Sequence, residues 1–268
     1  MKKFYVIFLI ILLFSGCVTN PLTGQVNMAF ISNSNLFSMS FSQYDTFLKE
    51  NKVVSGTSDA EMIRRVGNNL AAAAQKLLAE EGQPRYLKDY RWQFTLVQDN
   101  SINAWAMPGG KIVFYTGIMP VTRNEAGIAV VMGHEIAHQI LNHGQQRMSA
   151  GILQQLGAVG VAVLTSNESR ETQALILAAY GITTNLAGAL PFSRKHEYEA
   201  DEYGQILMAI AGYNPDEAVS FWRRMESAGS GKTPEWLSTH PSPPNRIKNL
   251  QSNSVKAKQR AAKFGVKF

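Results

Sequence analysis

Gly133-His134-Glu135-Ile136-Ala137-His138 is the stretch whose reading decides the fold of this chain. Two imidazoles at i and i+4 lie on one face of an α-helix about one turn apart, so His134 and His138 reach the same metal ion. The ion that suits them is zinc, which takes neutral imidazole nitrogens in a tetrahedral site; a catalytic site keeps three protein ligands and leaves one position open to water. Glu135 sits one residue past the first ligand, where its carboxylate can take a proton from that water. The competing reading is a helix that carries two histidines and a glutamate by chance. Against it stands the apolar setting, Ile128, Val131, Met132, Ile136, Ile140 and Leu141, which would bury the pattern in a core. The spacing predicts one helix over 120–143, closed by Gly144 as the C-terminal capping glycine.

Two histidines do not complete a catalytic zinc site. A third histidine in the H-E-x-x-H-x-x-G-x-x-H arrangement stands ten residues after the first, with glycine at seven; here those positions are Gly144 and Leu141. His143 therefore misses the spacing and reads as a polar residue at a helix C-terminus. A better source is Ser193-Arg194-Lys195-His196-Glu197-Tyr198-Glu199-Ala200-Asp201. Ser193 is the expected N-cap of a helix that ends near Gly212 and Pro215. Glu197 and Asp201 share a face of it, and Glu199 points roughly the other way. Glutamate has the reach to ligate, while aspartate one turn on can accept a hydrogen bond from a liganding imidazole and fix its tautomer. Without the first motif, a solvated acidic face would be the simpler account.

The first sixteen residues open with Lys2 and Lys3 and continue as an apolar run too short to span a bilayer comfortably, the pattern of an export signal. The run closes on Phe14-Ser15-Gly16-Cys17, similar to the lipobox of bacterial lipoproteins although phenylalanine stands where leucine is usual. Lipidated Cys17 then becomes the mature N-terminus, leaving 252 residues, enough for one substantial core. Cys17 is the sole cysteine, which excludes a disulfide framework and thiol chemistry. Net charge is +6 and falls to +4 without Lys2 and Lys3. Much of the remainder lies in Lys256, Lys258, Arg260, Lys263 and Lys267, expected to form a solvated basic tail; an export signal argues against nucleic acid as its partner.

The expected organisation is a signal over 1–16, a tether over 17–40, a catalytic domain over 41–252 and the tail over 253–268. Helical patterning covers 36–49 and 58–80, and strands are expected at 92–97 and 111–115, joined by a loop whose Gly109-Gly110 pair suits a tight turn. Residues 150–190 are unusually apolar. Gln154 and Gln155 interrupt the first run, and Thr183, Thr184 and Asn185 the second, which speaks against a membrane hairpin and for two helices packed on the core or a flap over the cleft.

Together these residues resemble the zinc metallopeptidase family that includes HtpX, the CaaX prenyl endopeptidases and the periplasmic BepA and LoiP proteins. The resemblance runs from about residue 20 to 250. It rests on 103–110, His134-Glu135-x-x-His138, Ser193-Arg194-x-x-Glu197-x-x-Ala200-Asp201, and Ser238-Thr239-His240-Pro241-Ser242 with Arg246-Ile247. It implies a predominantly helical α+β fold with a thermolysin-like zincin core and a small sheet. One zinc would be held by His134, His138 and Glu197, with Glu135 as base and Asp201 hydrogen-bonded behind a ligand. By the same likeness His240 either donates to the oxyanion or occupies the open metal position at rest, and Arg246 either assists the oxyanion or makes a structural salt bridge. The signal and lipobox look most like the LoiP-type lipoproteins.

The function so implied is an endopeptidase for unfolded or misassembled envelope proteins. Val18, not aspartate, follows the lipidated cysteine, so the expected place is the periplasmic face of the outer membrane. Substrates would add as extended segments to an edge strand near 111–115, with Asn103, Gly109 and Gly110 along the substrate strand. The alternative is a chaperone or assembly-factor lipoprotein with a gated zinc site, working with the outer-membrane assembly machinery.

Overall fold

A computed structural model of the chain describes residues 16–184, 190–228, 234–240 and 245–268, the side chains of 190–192 apart. Residues 1–15 of the expected signal, Asn185 and the Pro-rich residues 241–244 lie outside the described residues. A ribbon of β1 (Cys17–Thr19) and β2 (Val26–Met28) leads into α1 (Asn33–Glu50). β3 (Val53–Val54), α2 (Ser58–Glu80), β4 (Gln93–Val97), β5 (Ala104–Met107) and β6 (Lys111–Tyr115) follow. Helices make up the rest: α3 (Met119–Thr122), α4 (Glu125–Ile140), α5 (His143–Leu164), α6 (Arg170–Thr184), α7 (Leu190–Ile210), α8 (Glu217–Ala228), α9 (Glu235–Thr239) and α10 (Arg246–Ala262). This is the mainly helical α+β architecture with a small sheet that the family resemblance implies.

The core lies between the sheet and the helices α2, α4, α7, α8 and α10. Thr57 caps α2 by accepting from the Ala60 N–H, and the helix buries Ile63, Val66, Leu70 and Leu77 along one stripe. α4 is different: from Gly127 to Ile140 every residue is buried, the polar His134, Glu135, His138 and Gln139 included. Asn124 caps it, accepting from the Gly127 N–H at 2.9 Å. The expected single helix over 120–143 is divided because Arg123 (φ 67°) and Asn142 (φ 57°) adopt positive φ. Asn142 thus makes the turn assigned to Gly144, which lies inside α5.

The four-stranded sheet runs β3-β4-β6-β5, with β4 and β6 parallel and β5 antiparallel to β6. The expected edge strand near 111–115 is corrected here. β6 is paired on both sides, and the outer strands are β3 and β5, the latter formed from residues expected to be loop. Gly109 and Gly110 supply the β5–β6 turn with φ of +85° and +96°, angles open to glycine alone without strain.

Residues 17–40 are not a tether. Asn20 is buried, donates to the Ile140 carbonyl and accepts from the Leu22 and Thr23 N–H groups, Tyr203 donates to the Leu22 carbonyl, and α1 begins at Asn33. The polar residues that resemble a linker are turn formers with partners on the domain. The C-terminal segment is not a solvated tail either. Leu250, Ala257 and Ala261 bury one face of α10, and its cations and Lys263 meet acids elsewhere in the domain: Lys256 with Glu202, Lys258 with Asp216 of the α7–α8 turn, Arg260 and Lys263 with Glu80. Nor do residues 150–184 pack on the core: α5 and α6 lie against each other and leave the domain as an apolar hairpin.

Candidate metal centre

α4 carries the two histidines and α7 the carboxylates, and the two helices cross with Gly133 against Gly204. A Cβ added to Gly133 would lie 2.8 Å from the Gly204 carbonyl oxygen, and one on Gly204 would lie 2.9 Å from the His134 nitrogen. Only this close approach lets side chains of α7 reach across to both histidines. His134 Nε2 and His138 Nε2 stand 3.0 Å apart. Glu197 Oε2 is 3.3 Å from the first and Oε1 3.3 Å from the second. All three side chains are buried. Two imidazole nitrogens and a carboxylate converging on one buried point are the donor set of a zinc site.

The electrostatics agree with ligation. Burial alone would raise the Glu197 carboxyl, but hydrogen bonds from His134, His138 and His240 outweigh it and hold the group far below the usual carboxylate range. Burial drives His138 well below the ordinary histidine value, keeping it neutral. His134 is the exception: burial lowers it, yet Asp201 and Glu197 together lift it to about 9.

Around the ligands, His134 Nδ1 meets Asp201 Oδ1 at 3.1 Å, a pairing that turns the Nε2 lone pair toward the metal. Glu135 is buried, and its Oε1 accepts from Trp236 Nε1 at 3.0 Å. His240 Nδ1 lies 3.2 Å from both His134 Nε2 and Glu197 Oε1, while its Nε2 is 3.3 Å from Glu135 Oε1. His134, His138, Glu197 and His240 form one group whose ligand atoms all lie within 4.8 Å of one another.

Residues 61–254 match the model of Peptidase family M48. The chain belongs to this family. M48 relatives include the mitochondrial metalloendopeptidase OMA1 of Schizosaccharomyces pombe, 34% identical over 62% of this chain and 47% of that protein. The human metalloendopeptidase OMA1 is 28% identical over 90% of this chain and 46% of that protein. The β-barrel assembly-enhancing protease of Yersinia pestis is 29% identical over 74% and 39%. This M48 chain thus spans about half the length, or less, of these curated relatives.

In the M48 chain the metal centre opens on a cleft of 490 Å³ lined by Trp105 and Ala106 of β5 together with Glu135, His138, Thr239 and His240. Asn103 also borders it. Gly109 and Gly110 do not lie along that strand: they make its turn, and Gly110 donates its N–H to Gln139 Oε1 on α4 at 2.7 Å. Arg246 lies away from the cleft lining. Its Nη2 donates to Asp201 Oδ1 at 2.7 Å and stands 3.7 Å from Glu197 Oε2, with the guanidinium 3.3 Å from the Trp222 ring centroid. The cation thus makes an ion pair with the carboxylates.

Three residues are placed otherwise than expected. Ser193 is inside α7, which begins at Leu190. His143 is the first residue of α5, not the end of a helix, and is wholly buried. Glu199, expected on the opposite face, turns inward to it at 3.1 Å. Trp236, which holds Glu135, had no signal in the sequence beyond an aromatic four residues before His240.

Proposed function

We propose that this chain is a zinc endopeptidase that cleaves unfolded or misassembled envelope proteins. The observation that carries the reading is the meeting of an intact base, Glu135, with three convergent ligands at the floor of a cleft bordered by an outer strand, β5. When bound, zinc supplies a Lewis acid that polarises the peptide carbonyl and lowers the pKa of water to about 7. The chain's residues do the rest. β5 offers its outer edge to an extended segment, which selects unfolded substrates over folded ones. Glu135, oriented by Trp236, takes a proton from water and returns it to the leaving amine. Glu135→Gln should lower cleavage of β-casein by roughly 10² to 10⁴-fold with zinc content unchanged; full activity would reject the reading.

His240 has the position of a gate. At hydrogen-bond distance from two ligands and from Glu135, it stands on the side of the metal that water and substrate must use. This also supports the second reading, an assembly factor or chaperone whose site is closed at rest, and the Yersinia relative's name links that protein to β-barrel assembly. Complementation by the Glu135→Gln variant separates the two, since full rescue favours the second.

For location we infer a lipid anchor on Cys17 at the periplasmic face of the outer membrane, within the bacterial lipoprotein branch of the family. The lipobox-like residues before Cys17 and the exposure of Cys17 on β1 support it. Cys17→Ala should lack the mass of the lipid or remain uncleaved; an unchanged mass would refute the anchor.

A further inference from the structure

α5 and α6 expose Leu156, Val159, Val163, Leu164, Leu175 and Ile182, and α6 buries no residue at all. The sequence carries no charge over 148–167 or 172–193. A helix apolar on every side belongs in a protein core or in a bilayer, and among the described residues α5 is the one helix long and apolar enough to cross a membrane. The polar groups that speak against a membrane are used between the two helices. Gln154 Nε2 donates to Thr184 Oγ1 at 2.8 Å, Tyr180 Oη to the Gln154 carbonyl at 3.2 Å, and Gln173 Nε2 to the Ala162 carbonyl at 2.9 Å. Gln155 and Thr183 do face outward, but both lie in the half of the hairpin nearer its base, Gln155 about 9 Å beyond Ser149 by the helical rise.

We propose that the α5–α6 hairpin is embedded in a lipid bilayer. The part of α5 beyond its last buried residue, Ser149, is about 15 residues and rises about 22 Å, against a hydrocarbon core of about 30 Å. The charged tip, Glu168, Arg170 and Glu171, then comes close to the far headgroups. The base of α5 lies beside the N-terminal ribbon: Ser149 Oγ accepts from the Phe30 N–H at 3.1 Å, and Gln145 Nε2 donates to the Ile31 carbonyl at 2.7 Å. Cys17, paired with Met28 in that ribbon, is therefore on the side from which the hairpin leaves. A lipid there enters the same bilayer, although the hairpin's own surface carries the proposal.

The test places a fluorophore on Val159→Cys, and as control on exposed Gln83→Cys, in the full chain carrying Cys17→Ala and reconstituted in phosphatidylethanolamine and phosphatidylglycerol vesicles. One zinc per chain certifies folding. The Val159 label should shift to the blue and be quenched by doxyl groups on the acyl chains, while the Gln83 label responds only to aqueous iodide. Iodide quenching at both positions would overturn the proposal. So would energy transfer between Val159 labels without acyl-chain quenching, which would mean that a second copy covers the face.

An independent observation concerns the ligand His138. His143 Nδ1 lies 2.8 Å from His138 Nδ1, and His143 Nε2 lies 3.1 Å from Glu199 Oε2. A carboxylate accepts only, so His143 carries its proton on Nε2 and its Nδ1 must accept. His138 therefore donates from Nδ1, and its Nε2 lone pair is left for the metal. We infer that His143 and Glu199 are positioning residues that set the tautomer of His138, as Asp201 does directly for His134. Glu199 is itself held, accepting from Gln25 Nε2 at 3.0 Å. The inference rests on the zinc reading. His143, His196 and Glu199 also form a second group of metal-binding type, but the His143 and His196 rings stack 4.0 Å apart at 7°, so their in-plane lone pairs run side by side.

Zinc affinity by chelator competition separates the possibilities. His143→Phe keeps the stack on His196 but cannot accept, and should weaken zinc binding roughly 10 to 100-fold. His143→Gln can accept from His138 and donate to Glu199, and should restore most of that loss. Equal losses in the two variants, or none in either, would overturn the assignment, as would two zinc ions per wild-type chain with one lost in His143→Gln. The wild-type value itself reports on the zinc reading, so failure of one is told apart from failure of the other.

Discussion

The backbones of Gly133 and Gly204 touch where α4 crosses α7, with 2.8 Å between a Cβ added to the first and the carbonyl oxygen of the second. The contact sets the distance from His134 to Glu197 and Asp201, so the metal centre depends on two residues that have no side chain. Gly133→Ala and Gly204→Ala should each destabilise the fold by about 1–3 kcal/mol, the usual range for overpacking, and weaken zinc binding. Denaturant unfolding and chelator competition check this; wild-type zinc affinity in both variants would show that the crossing tolerates a methyl group.

Removing a ligand and removing its support should differ in degree. Glu197→Ala should lose most of the bound zinc as purified, whereas Asp201→Ala should retain it with affinity lowered roughly 10 to 100-fold. Metal analysis of the two proteins distinguishes them, and wild-type zinc content in Glu197→Ala would remove that residue from the site. Asp201→Ala also leaves Arg246 buried without its closest carboxylate, so a drop in stability should accompany it.

His240 borders the cleft beside His134, Glu197 and Glu135, where as the proposed gate it would compete with water and substrate for the open metal position. His240→Ala should leave zinc content unchanged and increase β-casein cleavage. A fall in kcat of about 10² to 10³, the size of a lost oxyanion donor, would make it a catalyst instead.

Zinc uptake should depend on pH with a definite sign. In the metal-free protein Asp201 and Glu197 hold His134 at about 9, above the ordinary histidine value of 6.5, so its protonation stabilises that form fully below about 6.5 and the contribution is lost as pH rises through about 9. Zinc must displace the proton. Apparent zinc affinity should therefore climb with pH across this window, and the melting temperature of metal-free protein should fall. In Asp201→Asn the dependence should shift to lower pH; a flat profile in the wild type would mean that His134 is already neutral.

The parts of this chain that could be read from residue order are those governed by contacts within a turn or two of helix. The i, i+4 pairs His134 with His138 and Glu197 with Asp201 follow from the helical period alone, and α2, expected over 58–80 from its apolar periodicity, spans Ser58–Glu80. Long-range pairing decided the rest. The partner of His143 is 56 residues away and that of Glu135, Trp236, is 101 away, and neither leaves a local trace. Strand order put β5 at an edge of the sheet and β6 inside it, and acids on α2, α7 and the α7–α8 turn gave the basic C-terminus its partners. For residues 150–184 composition showed apolar helices, yet whether such helices face a core or the outside depends on which other surfaces remain to cover them, and among the described residues α5 and α6 beyond Ser149 pack chiefly on each other.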